Sequence, residues 1–230
     1  MIKVSIIIPA YNEENSIKKI INKIQKLNFK KLKIKNEIIV IDDGSTDNTL
    51  KICRNIKGIK LITQKNFGKG RAVQNGIRKA KGEYILIQDA DLEYDPKDYF
   101  KLLNPKYLNT TTAIYGSRYL INNKLRKNQN IGPFIFNKIL SLWFWIFFKV
   151  FISDLLTGYK VYPIKFFKNH KIITNGFETD HEITSKLIKS NYAIKEVPIK
   201  YLPRTKLQGK KINIFDAFKA IFTIVKFKII

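Results

Sequence analysis

The chain has 230 residues, 45% of them hydrophobic and 27% charged, so it has enough apolar material for a real core and is excluded from the disordered and fibrous classes. Lysine and arginine outnumber the acids 43 to 18, a formal net charge of +25, and only Arg54, Arg71, Arg78, Arg118, Arg126 and Arg204 are arginine. Cys53 is the single cysteine, which excludes an intrachain disulfide and fits a reducing compartment. The lysine excess reads as a cationic face toward anionic lipid headgroups, ahead of compositional drift. Nucleic acid ranks last, because no basic cluster is interleaved with aromatics.

Val4 to Ile8 is a short β-branched run closed by Pro9, the pattern of a buried parallel strand. It is too short and too soon polar for a signal peptide, so the expected location is the cytoplasm, or its face of the membrane. After the turn at Ala10 to Asn15, Ile17, Ile20, Ile21, Ile24 and Leu27 mark one face of a helix. Glu37 to Ile41 is the second strand, ending in Asp42-Asp43-Gly44-Ser45-Thr46-Asp47, where Ser45 or Thr46 is expected to cap the next helix. Lys60 to Thr63 is the third strand. Asn66-Phe67-Gly68-Lys69-Gly70 leads into a helix from Arg71 to Ala80; its glycines let backbone approach a ligand, but it is no P-loop.

Tyr84 to Gln88 is the fourth strand, and it delivers Asp89, Asp91 and Glu93 to its C-terminal end. In open α/β sheets that edge holds the ligand. Asp89 and Asp91 stand two apart with only Ala90 between them, a crowding of hard oxygen ligands that a divalent cation bridging substrate phosphates would relieve. An acidic turn capping a helix explains Asp95-Pro96 but leaves Asp89 and Asp91 without a reason. Glu13 and Asp42, at earlier strand ends, are candidate acceptors for a base or ribose.

Thr112 to Tyr115 is a fifth strand, followed by the basic residues Lys124, Arg126 and Lys127. Ile131 to Ile152 is the most apolar stretch. Lys138 and Lys149 bracket only ten residues of it, short of the roughly 20 a membrane span needs. It is either a buried core helix or, as its Trp, Phe and flanking Lys favour, an interfacial helix. Ala193 to Tyr201 is a late strand, a basic loop follows around Gly209, and Ile214 to Val225 is a final amphipathic helix. His170 and His181 lack a partner in any known spacing and are read as bystanders.

Ile8-Pro9-Ala10-Tyr11-Asn12-Glu13-Glu14, Val40-Ile41-Asp42-Asp43-Gly44-Ser45-Thr46-Asp47, Asn66 to Gly70 and Gln88-Asp89-Ala90-Asp91-Leu92-Glu93 resemble the motifs of family 2 glycosyltransferases. Gly116-Ser117-Arg118 and Glu196-Val197-Pro198-Ile199 extend the resemblance toward the polyprenyl-phosphate branch typified by dolichol-phosphate mannose synthase. It implies an α/β fold of the GT-A type: a Rossmann-like, mostly parallel sheet flanked by helices, with amphipathic membrane-facing helices in the second half. One domain over 1–230 is expected, with 1–118 binding the nucleotide sugar and 119–230 facing acceptor and membrane.

The resemblance further implies that Pro9, Ala10, Tyr11, Glu13, Val40 and Asp42 hold the nucleoside. Lys69, Ala90, Arg204, Lys210 and Lys211 would serve the donor phosphates. Asp89, Asp91 and Glu93 would meet Mg²⁺ or Mn²⁺, and Arg118 the anionic acceptor. Glu93 stands where the mannose synthases usually carry glutamine. Asp154 to Tyr162 matches the family's Asp-x-x-Thr-Gly segment, and Phe177 to Glu182 its helix start, with acids toward the sugar.

The expected reaction is metal-dependent inverting transfer of mannose or glucose, from GDP-mannose or UDP-glucose, to a polyprenyl phosphate. The expected partners are an anionic membrane surface and a membrane-embedded protein, with no nucleic acid. The alternatives are a transferase acting on a soluble glycan or protein, and a non-catalytic subunit that keeps the fold.

Overall fold

The computed structural model of the protein describes residues 1–120, 131–204 and 214–229. β1 (Ile2–Ala10), β2 (Ile34–Asp42) and β3 (Lys60–Thr63) contain the first three predicted runs, and β4 (Tyr84–Ile87) matches the fourth except that it stops one residue short of Gln88. Between them lie α1 (Ile17–Gln25), α2 (Thr49–Arg54) and α3 (Lys69–Lys79). A 3-10 turn at Pro96–Asp98 leads into α4 (Tyr99–Leu102), β5 (Thr112–Ser117) and α5 (Ile131–Phe148). β6 (Lys160–Pro163), α6 (Ile164–Asn169), α7 (Thr179–Lys189), β7 (Ala193–Pro198) and α8 (Ile214–Ile229) complete the described chain.

The strands form one sheet in the order β3-β2-β1-β4-β6-β5-β7. Strand alternation sends consecutive residues to opposite faces, and both faces are covered. Val4, Ile6, Ile8, Ile38, Val40 and Leu86 pack with α1, whose Ile17, Ile20, Ile21 and Ile24 are fully buried. Ile7, Ile39, Ile41, Ile85 and Ile87 point the other way, toward Ala72 and Val73 of α3, Phe144 of α5, Leu187 of α7 and Ile224 of α8. Each such side chain contributes roughly 1.5–3 kcal/mol through burial.

The sheet is not wholly parallel. β6 runs antiparallel to both β4 and β5, while the remaining pairs are parallel. Four residues of apolar sequence carry no sign of strand direction, so this reversal is invisible before folding. Its effect is local and large: Ile87 pairs with Lys160, so β6 begins beside the end of β4, at the ligand edge.

Several boundaries and one cap differ from expectation, among them α3, which starts at Lys69 rather than Arg71. β7 ends at Pro198 rather than 201, because its partner β5 ends at Ser117, the residue that pairs with Pro198. Ser45 and Thr46 do not cap α2, whose first amide is instead served by Asp47 Oδ1 at 2.9 Å. The long apolar helix stops at Phe148, where Lys149 turns left-handed (φ 57°).

α5 has a core side and an exposed apolar side. One side buries Leu140, Phe144 and Phe148 in the core, while Ile135, Ile139, Leu142, Trp143, Trp145 and Ile146 are exposed. By length and composition alone it is the one helix among the described residues that could cross a membrane. Its core contacts tie it to the sheet.

Candidate active site

The loops after β1 and β2 are fastened together. Asn12 N–H donates to Ser45 Oγ (3.0 Å), Thr46 N–H to Asn12 Oδ1 (2.8 Å), and Glu13 N–H to Thr49 Oγ1 (2.7 Å). Asn12 takes a left-handed φ of 52°, a conformation asparagine tolerates better than most residues. Here Ser45 and Thr46 find their actual partners. Pro9 and Tyr11 are partly exposed at this edge, whereas Ala10 and Val40 are packed into the core beneath α1.

Asp42 is 2% exposed. One carboxylate oxygen accepts from Ser45 N–H at 3.3 Å, while Oδ1 is buried with no hydrogen-bond partner among the described residues. Leaving such an acceptor unsatisfied costs about 1–3 kcal/mol, which a ligand donor at this edge would recover. Its neighbour Asp43 is fully occupied by Gln64 Nε2 (2.6 Å) and by the amides of Phe67 and Gly68 (both 3.0 Å). Asp43 therefore pins the glycine loop, and the loop delivers Lys69 to Asp89 at 2.6 Å.

Asp89, Asp91, Glu93 and Glu13 lie along the mouth of the sheet with Lys69 and Arg204 among them. The Arg204 guanidinium reaches both Glu13 oxygens (3.2 Å each) and Asp91 Oδ2 (3.0 Å). Burial, then the charges of Asp89 and Glu93, push the Asp91 carboxyl up to about 7, with Arg204 opposing them. Burial opposes the charge of Lys69, but Asp89, helped by Asp180 and Asp91, outweighs it and raises the amine above its ordinary range.

Both Glu93 oxygens are engaged, Oε1 by Arg204 N–H (2.8 Å) and Oε2 by the Tyr201 hydroxyl (3.1 Å). Glu93 thus fastens the Tyr201–Arg204 segment. Among the described residues no three His, Cys, Asp or Glu side chains converge as a ready-made metal cage. The donor chemistry nonetheless fits a divalent cation: Asp89 and Asp91 are hard oxygen ligands, and Asp91 is buried beside the further carboxylates of Asp89 and Glu93.

β6 brings residues that motif reading alone does not place. Gly158 lies against Asp89 so closely that an added Cβ would collide with Asp89 Oδ2. Lys160, with no exposed surface, donates to Leu155 O (3.2 Å) and faces Asp180 Oδ1 (3.4 Å). Burial favours the neutral form of Asp180, but Lys160 and Lys69 prevail and lower its pKa, so it stays ionised. Glu182 is different: it is fully buried and accepts from the amides of Ile173 and Thr174 near the start of α7, the hydrogen bonding of a structural anchor. His181 is buried, with Nδ1 unpartnered among the described residues and the charges of Lys160 and Asp180 nearby.

Arg118 is not an open cation. Its Nε and Nη2 both donate to Asp154 at 2.7 Å, and the two side chains are 8% and 0% exposed. The Ser153–Asp154 backbone is held in turn by Glu196. The guanidinium also lies over the rings of Tyr201 (4.9 Å) and Tyr119 (5.4 Å). Asp154 is the partner that sequence reading left without a role; its signal was the Asp-x-x-Thr-Gly segment that it opens, which names the residue but not Arg118 as its partner. Lys210 and Lys211 lie outside the described residues.

Solved structures share this architecture. Glucosyl-3-phosphoglycerate synthase from Mycobacterium tuberculosis, solved with Mn²⁺ and UDP-glucose, superposes with a TM-score of 0.74 at 17% identity, over 100% of this chain and 80% of that one. Mannosyl-3-phosphoglycerate synthase from Rubrobacter xylanophilus gives 0.72 at 18%, over 98% and 72%. At such identities the likeness shows the GT-A fold. The chain is also 27% identical to the UDP-N-acetylglucosamine–dolichyl-phosphate N-acetylglucosaminyltransferase of Methanococcus voltae, over 97% of this chain and 95% of the relative. An uncharacterized Methanocaldococcus jannaschii protein is 31% identical over 83% and 84%. Residues 5–167 match the model of Glycosyl transferase family 2, and the chain belongs to that family.

Proposed function

We propose that the protein transfers a hexose, mannose or glucose, from a nucleoside diphosphate donor to a polyprenyl phosphate, with inversion, at the cytoplasmic face of a membrane. The observation that carries the acceptor class is a continuous row of groups. Asp91 meets Arg204, Glu93 meets Tyr201, Tyr201 lies over Arg118, and Arg118 lies over Tyr119, which borders the exposed apolar side of α5. Such a row suits a substrate with a phosphate at one end and a hydrocarbon tail at the other. The acceptor named for the Methanococcus voltae relative is of that kind.

In this reading residues 1–118 form the donor half and 119–230 the acceptor half. Asp42 Oδ1 accepts from the base or ribose, beside Tyr11 and Glu13. Asp89 and Asp91 would hold Mg²⁺ or Mn²⁺, with Glu93 behind them, and the cation would neutralise the departing diphosphate. Lys69 and Arg204 are close enough to exchange their carboxylate partners for phosphate oxygens.

The acceptor needs no general base, because a phosphate monoester, with a second pKa of about 6, is already ionised at neutral pH. Asp180, held ionised by Lys160 and Lys69, is suited to accept hydrogen bonds from sugar hydroxyls rather than to take a proton. Membrane attachment would come from α5 and the lysine excess, on the cytoplasmic side and peripherally, alone or beside a membrane-embedded partner.

The test incubates the full chain with GDP-mannose, UDP-glucose or UDP-N-acetylglucosamine, with Mn²⁺ or Mg²⁺, and with farnesyl phosphate or 3-phosphoglycerate. Sugar should move into the organic-extractable fraction, and EDTA should stop it. Transfer to 3-phosphoglycerate alone would sink the lipid reading.

A further inference from the structure

We propose that Lys138 is the cation that receives the phosphate of the lipid acceptor, at the boundary between the apolar face of α5 and the polar cleft. The inference rests on the polyprenyl-phosphate reading and names the residue that reading lacks. Arg118 is the obvious anion receptor by position, but its charge is already matched by Asp154 through two buried 2.7 Å hydrogen bonds. A phosphate arriving there would meet a neutral pair, and drawing the guanidinium away would strand a fully buried carboxylate.

Lys138 is one ring away and is not so committed. Its ammonium lies 6.0 Å from the Tyr119 ring, the same ring that the Arg118 guanidinium covers at 5.4 Å. It is flanked by Phe134 at 5.7 Å and by Phe151 at 6.0 Å. No acid occurs in the sequence from Ile131 to Ser153, and none of the ion pairs among the described residues uses Lys138. Lys138 is exposed, and Phe151 beside it is 59% exposed.

An ammonium with no ion-pair partner among the described residues, emerging from aromatic rings, matches the junction of an anionic headgroup and a prenyl tail. Polar water would gain little from those rings, whereas hydrocarbon would cover them. Lys149 shares the aromatic setting, over Trp145, but lies 11 positions further along the chain, about 16 Å of helical rise from Lys138. It has no ring in common with Arg118. Asn137 keeps the Lys138 turn in register with the cleft: its Nδ2 donates to Ser153 O at 2.7 Å and its Oδ1 accepts from Leu156 N–H at 3.3 Å, on either side of Asp154.

Trp143 and Trp145 are the only tryptophans, and both are exposed on α5, so intrinsic fluorescence reports on this face. The full chain is titrated with farnesyl phosphate and with farnesol, as wild type, Lys138→Ala and Lys138→Arg, with melting temperature as the fold control. The wild type should prefer the phosphate by about tenfold, equal to about 1.4 kcal/mol. Lys138→Ala should lose most of that preference, and Lys138→Arg should keep it. A preference unchanged in Lys138→Ala, or absent from the wild type, overturns the assignment. A Lys138-dependent preference supports it even if no sugar is transferred, a result that would count against the proposed reaction alone.

Discussion

The two ends of the cleft balance charge in opposite ways. At the proposed donor end, the described residues set Lys69 and Arg204 against Glu13, Asp89, Asp91 and Glu93, and Asp91 is driven up to about 7 by burial and its acidic neighbours. At the proposed acceptor end, Arg118 and Asp154 match one to one and are sealed from water. An under-neutralised cluster invites a cation and its phosphates, whereas a completed pair carries no net charge to draw an anion. Position at a strand end is therefore insufficient evidence of a ligand role; the local charge balance decides it.

The comparison breaks most sharply at Asp91. Asp91→Asn should reduce turnover by several orders of magnitude and abolish metal-dependent donor binding, while the melting temperature holds or rises, since one of the clustered charges is gone. A thermal-shift titration with Mn²⁺ and nucleotide checks this; near-normal activity would remove Asp91 from the machinery.

At the acceptor end the same kind of change should act on stability instead. Asp154→Ala leaves the Arg118 charge buried without its partner, at a cost of about 3–5 kcal/mol in chemical denaturation. A loss below about 1 kcal/mol would mean that water or another group reaches Arg118, and the sealed pair would be the wrong description.

The smallest effect lies under the cleft floor. His181 is buried, and burial, then the charge of Lys160, lowers its pKa to about 4. Unfolded, it titrates near 6.5, so between about 6.5 and 4 the unfolded chain binds more protons and stability falls as pH falls. The loss approaches about 3 kcal/mol at the acid end of that window. His181→Leu should flatten this limb of the melting-temperature profile and leave the neutral region unchanged; an unaltered acid limb would assign it to other groups.

Much of the donor end was legible because its information is local. A β-branched run followed at once by an acid places that acid at a strand end, and so Asp42, Asp89 and Asp91 could be read directly. The helical stripe of Ile17, Ile20, Ile21 and Ile24 was legible for the same reason, and all four are fully buried. Even the ambiguity of α5 was real, since the helix has a core side and an exposed apolar side. Ser45 and Thr46 mislead because a hydroxyl near a helix start is a cap by default, and only the approach of Asn12 from another loop redirects them.

What tertiary structure alone decided is pairing across long separations. Strand direction is absent from a four-residue pattern, so nothing local sets Gly158 against Asp89 or Lys160 beneath Asp180. Arg118 and Asp154 are 36 positions apart, and Arg204 is 113 from Asp91. Side-chain charge is a property of composition, but whether that charge remains available depends on what folding brings within about 3 Å of it. Lysine-rich composition predicted cations everywhere; only packing separated Arg118, which is matched, from Lys138, which has no ion-pair partner among the described residues.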